Sequence, residues 1–257
     1  HVRSRRQRQM CIRDRLGTMG EYGTPNIDIE EGWLEITHKG RKDRVLYPKK
    51  PMSFYHLSKV HDSNNIEFAC RVWGTKCTDL NQGCVYGLET EESKMDEKMS
   101  TSFHYDQVFG TVINRFICQS IIGKDLTVYG NGTQTRGYLN IIDTLNCVNI
   151  ATNNPASTGE FRVFNQYTEV LSINDIAKNI ISAASQIGIK SKIKNLENPR
   201  TEQEDHYYKP NNESLIKLGL KPIKIGDNVL PNMMKKALQY KDRILEQTIL
   251  PTIKWKQ

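Results

Sequence analysis

Ser53-Phe54-Tyr55-His56-Leu57-Ser58-Lys59-Val60-His61-Asp62-Ser63 opens a helix, and the order of elements from this helix onward decides the fold. Ser53 suits an N-cap, and Gly74, just past Trp73, suits the stop. Thr75 to Leu80 then reads as a short strand, feeding the loop Asn81-Gln82-Gly83-Cys84-Val85-Tyr86-Gly87. Helix, strand and glycine-containing loop in that order is the second half of a doubly wound α/β sheet. In that architecture ligands bind beyond the carboxyl ends of the strands. Leu16-Gly17-Thr18 upstream reads as the end of another buried strand, so Thr18 and Asn81-Gln82 both occupy such ends.

Tyr55 and Lys59 are four residues apart and so lie one helical turn apart on the same face. An ammonium beside a phenol favours the phenolate, which suits a general base. A hydroxyl such as Thr18 can hold the same substrate oxygen from the other side. The bare Tyr-x-x-x-Lys spacing recurs by chance in many helices and carries little weight alone. His56 and His61 are read as helix surface or packing.

Outward from this stretch, Trp33-Leu34-Glu35-Ile36-Thr37 and Arg44-Val45-Leu46-Tyr47 alternate apolar and polar residues, which predicts a hairpin within 32–48. Residues 88–104 are charged and polar, a solvated loop or lid. Helices are expected from Asp106 to Ile122 and from a cap at Asp143 to about Asn153. Others are expected behind a capping box at Ser172-Ile173-Asn174-Asp175 up to Gly188, near 211–218, and at 227–247. Leu126-Thr127-Val128-Tyr129 and Phe161-Arg162-Val163-Phe164 read as strands. No G-x-G-x-x-G strand-turn-helix occurs; Gly130-Asn131-Gly132 lacks the third glycine and opens no helix. The expected class is α/β: a partial Rossmann-type parallel sheet, its N-terminal half missing, and, as the resemblance carried by the motifs implies, a smaller α/β substrate-binding domain. Residues 16–90 would form the C-terminal half of the dinucleotide domain. Residues 91–257 would be mainly substrate domain, with 140–166 returning to the Rossmann sheet.

The formal net charge is +7. Residues 1–15 hold six arginines against one aspartate, so most of the excess belongs to this leader rather than to a nucleic-acid surface. The leader is Arg-rich, as transit peptides are, but runs straight into a strand end. It reads as an extraneous, non-native segment, with a nucleic-acid arm the lesser alternative. Mean hydropathy is −0.59 and no apolar run reaches membrane-spanning length. Cysteines 11, 70, 77, 84, 118 and 147 form no C-x-x-C pair, which argues against zinc and for reduced thiols.

Several ordered motifs carry a family resemblance: Leu16-Gly17-Thr18-Met19-Gly20-Glu21-Tyr22-Gly23-Thr24-Pro25-Asn26-Ile27-Asp28-Ile29, the helix from Ser53 to Ser63, Asp79-Leu80-Asn81-Gln82-Gly83, Gln134-Thr135-Arg136-Gly137-Tyr138-Leu139 and Asn198-Pro199-Arg200. From residue 16 to the C-terminus the sequence resembles the UDP-sulfoquinovose synthase family of extended short-chain dehydrogenases/reductases, within the epimerase/dehydratase group. Thr-Met-Gly-Glu marks the sulfolipid branch; related dehydratases carry Thr-Asp-Glu.

The resemblance implies NAD as cofactor, and UDP-glucose and sulfite as substrates, for sulfolipid head-group synthesis. Tyr55, assisted by Thr18, would remove the 4-hydroxyl proton as hydride leaves C4. Water would be lost across C5–C6, sulfite would add at C6, and hydride would return. Lys59 would hold the nicotinamide ribose, Val85 would touch the nicotinamide, and Glu21 would be the acid/base for loss of the 6-hydroxyl. Asn81 and Gln82 would meet substrate phosphates or sugar, Thr127-Val128-Tyr129 would flank uracil, Arg136 and Arg200 would bind the diphosphate, and Glu202 the uridine ribose. No metal is implied. The resemblance further implies a homodimer, a sulfite-supplying ferredoxin-dependent glutamate synthase, formal classification as a hydrolase of C–S bonds, and plastid stroma or a bacterial cytoplasm. The alternatives are another UDP-sugar 4,6-dehydratase or 4-epimerase, and an inactive truncated fragment.

Overall fold

The computed structural model describes residues 14–198, 207–226 and 228–250. In chain order the elements are β1 (Arg15–Thr18), β2 (Trp33–His38), β3 (Arg41–Leu46), α1 (Phe54–Trp73), β4 (Cys77–Gln82), β5 (Cys84–Tyr86), α2 (Glu91–Met95), α3 (Val112–Ile121), β6 (Leu126–Tyr129), β7 (Thr135–Asn140), α4 (Ile141–Asn153), β8 (Phe161–Gln166), β9 (Glu169–Ser172), α5 (Ile173–Gln186), β10 (Ile193–Leu196), α6 (Glu213–Lys217) and α7 (Val229–Leu238). They fall into two compact units.

The first unit holds the described residues up to Gly83, with Asp143–Thr168 and Tyr207–Pro222. Its sheet is parallel, in the order β1-β4-β8, with Thr18 opposite Gln82 and Gly17 opposite Asn81. Strand β4 is buried on both faces, as a central parallel strand should be. On one face Leu80 packs with Phe164, Cys147, Ala151 and Leu215. The other face carries Asp79 and Asn81, with Cys77 packed against Cys70, Phe161 and Val163. Helix α1 forms as its sequence predicts: the Ser53 hydroxyl accepts from the His56 amide, and Gly74 ends the helix at φ +70°. Its buried positions, Val60, Ser63 and Cys70, recur at helical spacing. The β2–β3 hairpin closes through Lys39 and Gly40, both at positive φ, the geometry that matches the strands' own twist.

Three expectations about this unit need correcting. The leader is expected to extend to residue 15, yet Arg15 begins β1 and the Asp14 carboxylate accepts from the Thr78 amide at 2.8 Å. Residues 1–13 lie outside the described residues. The segment Tyr207–Pro222, expected in the substrate domain, returns to the first unit, where Pro210 bridges Ile29 and the Asn211 amide donates to the Ile29 carbonyl. The strand after α1 begins at Cys77, two residues later than its sequence suggests.

The second unit has its core between α3, α5 and α7, where Phe116, Ile117, Leu126, Val128, Ile180 and Met234 are buried. Strands β5, β7 and β9 form one sheet, with β5 parallel and β9 antiparallel to β7; β6 pairs with β10 in parallel. Helix α3 starts at Val112, six residues later than predicted. The Asp106 carboxylate captures the Val108 and Phe109 amides in a turn, and Thr111 is the cap. Asn140, rather than Asp143, accepts the first free amide of α4, that of Ile142, at 2.9 Å. The single C-terminal helix expected at 227–247 is α7 followed by two 3-10 turns, at Lys241–Arg243 and Glu246–Thr248. The capping box at Ser172 and Asp175 is present as predicted.

Among the described residues no helix is long and apolar enough to cross a membrane, and no cluster of three or more potential metal ligands occurs. The described cysteines are free. Burial pushes the Cys70 and Cys147 thiols up to about 11 and Cys118 up to about 12, which leaves them protonated and inert at neutral pH.

Candidate active site

Thr18 ends β1 at the carboxyl edge of the parallel sheet. Its hydroxyl oxygen accepts from the Gly20 amide at 3.2 Å and caps the short 3-10 turn Met19–Glu21. With that lone pair occupied, the O–H remains a donor for a substrate oxygen. Two contacts draw α1 onto this turn. The Lys59 ammonium donates to the Leu16 carbonyl at 3.4 Å. The His56 imidazole lies so close to Gly20 that a Cβ there would fall within 3 Å of three ring atoms. Tyr55, next to His56, is 60% exposed, and the Lys59 ammonium sits 5.9 Å from its ring centroid. Thr18, Tyr55 and Lys59 are thus brought to one edge of one unit, on elements fixed by backbone pairing and by a capped helix.

Glu21 is placed differently from its expected role. It is completely buried. Its Oε1 accepts from Arg15 Nη2 at 2.8 Å, and its Oε2 accepts from the Lys49 ammonium and, at 3.0 Å, from the Ser63 hydroxyl. Arg15 Nη1 and Ser63 also reach Asp79 Oδ2, each at 2.8 Å. Burial pushes the Asp79 carboxyl up, against the pull of Arg15 and Lys49. Beside this network the Asn81 amide donates to the Tyr22 hydroxyl, which donates to Asn165; each of those bonds is 2.9 Å. Burial pushes the Tyr22 phenol well up, so it stays a neutral donor.

Asn81, expected to meet substrate, is therefore an interior residue with no exposed surface. Gln82, the next residue, is half-buried at the strand end opposite Thr18. In the second unit Val128 is a core residue, and Thr127 is nearly buried with its hydroxyl accepting from Gln119 at 2.8 Å. Val85, Tyr129 and Arg136 are half-buried; the Arg115 guanidinium stacks 4.3 Å over the Tyr129 ring, and Arg136 donates to the Thr135 carbonyl at 2.8 Å. Arg200 and Glu202 lie outside the described residues. Lys49 and Ser63 escaped the reading of the sequence. No motif surrounds Lys49, and the only trace of Ser63 is a small polar residue on the buried stripe of α1.

The fold defined by this sheet and helix is that of nucleotide-sugar epimerases and dehydratases. UDP-glucose 4-epimerase of Thermotoga maritima, solved with UDP-glucose, superposes with a TM-score of 0.64 at 18% identity, over 88% of this chain and 64% of that one. UDP-glucuronic acid 4-epimerase of Bacillus cereus, solved with UDP-glucuronic acid and NAD, gives 0.61 at 18% identity, over 88% and 62%. The sequence relatives are more specific. The chain is 53% identical over 247 residues to the chloroplastic UDP-sulfoquinovose synthase of spinach, Spinacia oleracea, which is 96% of this chain and 51% of that protein. It is 41% identical over 246 residues to the UDP-sulfoquinovose synthase of Sulfolobus acidocaldarius, 95% of this chain and 62% of that protein. No protein-family model matches. The chain is thus a relative of the UDP-sulfoquinovose synthases, as its motifs indicate, and it spans about half to three fifths of their length.

Proposed function

We propose that this chain carries the catalytic strand and helix of a UDP-sulfoquinovose synthase, joining UDP-glucose and sulfite. The observation that supports the reading is that Lys59, beside the Tyr55 ring, reaches the carbonyl of Leu16 in the strand that Thr18 ends, in a chain 53% identical to the spinach enzyme. The residues present fit the nicotinamide-ribose end of NAD: the Lys59 ammonium, held at the Leu16 carbonyl, lies beside Tyr55, which is 60% exposed. No glycine fingerprint for the pyrophosphate occurs in the sequence. NAD, when bound, supplies hydride exchange at the sugar C4.

The chain's own residues move the protons. Tyr55 takes the proton of the C4 hydroxyl as the ketone forms, and Thr18 donates a hydrogen bond to the same oxygen. Lys59 holds the ribose and keeps positive charge beside the phenol. The C4 ketone acidifies the C5 hydrogen, so water is lost across C5–C6 and sulfite adds at C6. Gln82 meets the sugar at the strand end. Arg136 binds diphosphate, and Tyr129, Val85 and the outer face of Thr127 line the base and nicotinamide ends. A homodimer, a sulfite-supplying glutamate synthase and a plastid stroma belong to the same reading, the last supported by the chloroplastic relative. So does formal placement among C–S hydrolases.

The test is product analysis with UDP-glucose and NAD, with and without sulfite. It is run on the isolated chain and on a protein of the relatives' full length carrying this sequence. A sulfite-dependent UDP-sugar sulfonate is expected from the longer protein, and little retained NAD and no product from the isolated chain. UDP-galactose or a 4-keto-6-deoxy sugar made without regard to sulfite would replace the reading by epimerase or dehydratase. Stoichiometric NAD on the isolated chain would overturn the expectation that it retains little.

A further inference from the structure

The buried network around Glu21 joins three segments that the chemistry needs in register. Glu21 lies three residues after Thr18, on the turn that Thr18 caps. Ser63 lies one helical turn beyond Lys59 and is completely buried. Lys49, on the chain between β3 and α1, has a side chain only 6% exposed and donates to both Glu21 and, at 2.9 Å, Ser63. Arg15 Nη2 bridges Glu21 Oε1 and the Lys59 carbonyl, each at 2.8 Å, while Nη1 reaches Ser63 and Asp79. Two cations, Arg15 and Lys49, face two carboxylates, Glu21 and Asp79. Both Glu21 oxygens are engaged, and neither is open to a substrate hydroxyl.

We infer that Glu21, Lys49 and Ser63 are positioning residues that lock the Thr18 turn to the helix bearing Tyr55 and Lys59. They act through those groups and touch no substrate. Ion pairs of this kind tolerate loss of one partner poorly, because the other charge is left buried and alone. Misplacement of reacting groups by an ångström costs on the order of 100-fold in rate. The inference rests on the synthase reading for its kinetic arm alone.

In the full-length protein, two rates separate positioning from proton transfer at C6: UDP-glucose-dependent NADH formation without sulfite, and sulfite-dependent product formation. Glu21→Gln and Lys49→Met should lower both rates by the same factor, roughly 10–100-fold, through kcat with KM little changed. Lys49→Arg should restore most of the loss. The Glu21→Gln/Lys49→Met double variant should lose less than the product of the single losses. Ser63→Ala, which removes no charge, should show the same parallel fall to a smaller degree and serves if the charge variants do not fold. Loss confined to sulfite-dependent product in Glu21→Gln would make Glu21 an acid/base group and overturn the inference. If the unsubstituted protein shows no UDP-glucose-dependent NADH, the synthase reading fails. The positioning claim is then read from amide exchange in the isolated chain: Ser63→Ala or Glu21→Gln must speed exchange across 55–63, and unchanged exchange overturns it.

Discussion

Replacing Tyr55 with phenylalanine lowers UDP-glucose-dependent turnover of the full-length protein by about 10²–10⁴-fold, the usual contribution of a positioned general base. Thermal unfolding stays where it was. Tyr55 is 60% exposed, and the Ser58 hydroxyl bonds to its backbone carbonyl rather than to the phenol, so removing the hydroxyl leaves helix α1 and its packing intact. The ring itself, tilted against His56 at 5.2 Å, is retained in the variant. A drop in rate without a drop in stability assigns the effect to chemistry. Unchanged turnover would remove Tyr55 from the mechanism and with it the significance of the spacing to Lys59.

Gly17→Ala destabilises the chain by crowding two buried side chains of β4. Gly17 sits in β1 opposite Asn81, with the side chains of Asp79 and Asn81 converging on its missing Cβ. A methyl group there would fall within 3 Å of the Asp79 carboxylate and of the Asn81 amide oxygen. Both side chains are completely buried and tied down, Asp79 by Arg15 and Ser63, Asn81 by Tyr22. Neither can swing away without breaking a buried hydrogen bond. Overpacking of this kind costs about 1–3 kcal/mol. For a chain of this size that is a fall in Tm of roughly 2–12 °C, read by calorimetry or circular dichroism. A variant as stable as the parent would mean that the polar layer on this face of β4 is looser than its hydrogen bonds indicate.

The parts of the fold legible in the sequence are those with a local signature. Ser53 and Gly74 bracket α1 because a hydroxyl cap and a left-handed glycine are chemical necessities of helix ends. The hairpin shows itself by alternation, and the box at Ser172 by its spacing. Where two local signals compete, the reading slips: the apolar periodicity of α3 extends back to Val108, but the Asp106 side chain offers the backbone a turn instead. Long-range pairing leaves no local trace. Nothing in Tyr207–Pro222 announces its backbone bonds to Ile29, so its return to the first unit was illegible.

The site divides in the same way. The positions of Thr18 at a strand end and of Tyr55 and Lys59 one turn apart on a helix were legible, because both elements have local signatures. The interior fate of Glu21 and Asn81 was not, because it depends on Arg15, Lys49 and Tyr22 meeting them across loops whose geometry the sequence does not state. Asn81 and Gln82 are adjacent in a strand that is covered on both faces, so the half-exposure of Gln82 comes from its place at the strand end, which pairing with β1 and β8 fixes.

The central claim is that Thr18, Tyr55 and Lys59 act together on one sugar oxygen, at C4. Its most direct test is single-turnover conversion by the full-length protein of UDP-glucose deuterated at C4, in the presence of sulfite. The account predicts a primary isotope effect on product formation, with the deuterium found again at C4 of the sulfonated sugar, because hydride leaves and returns at the same carbon. Sulfite incorporation with no isotope effect at C4, and none introduced by the Tyr55→Phe variant, would contradict it.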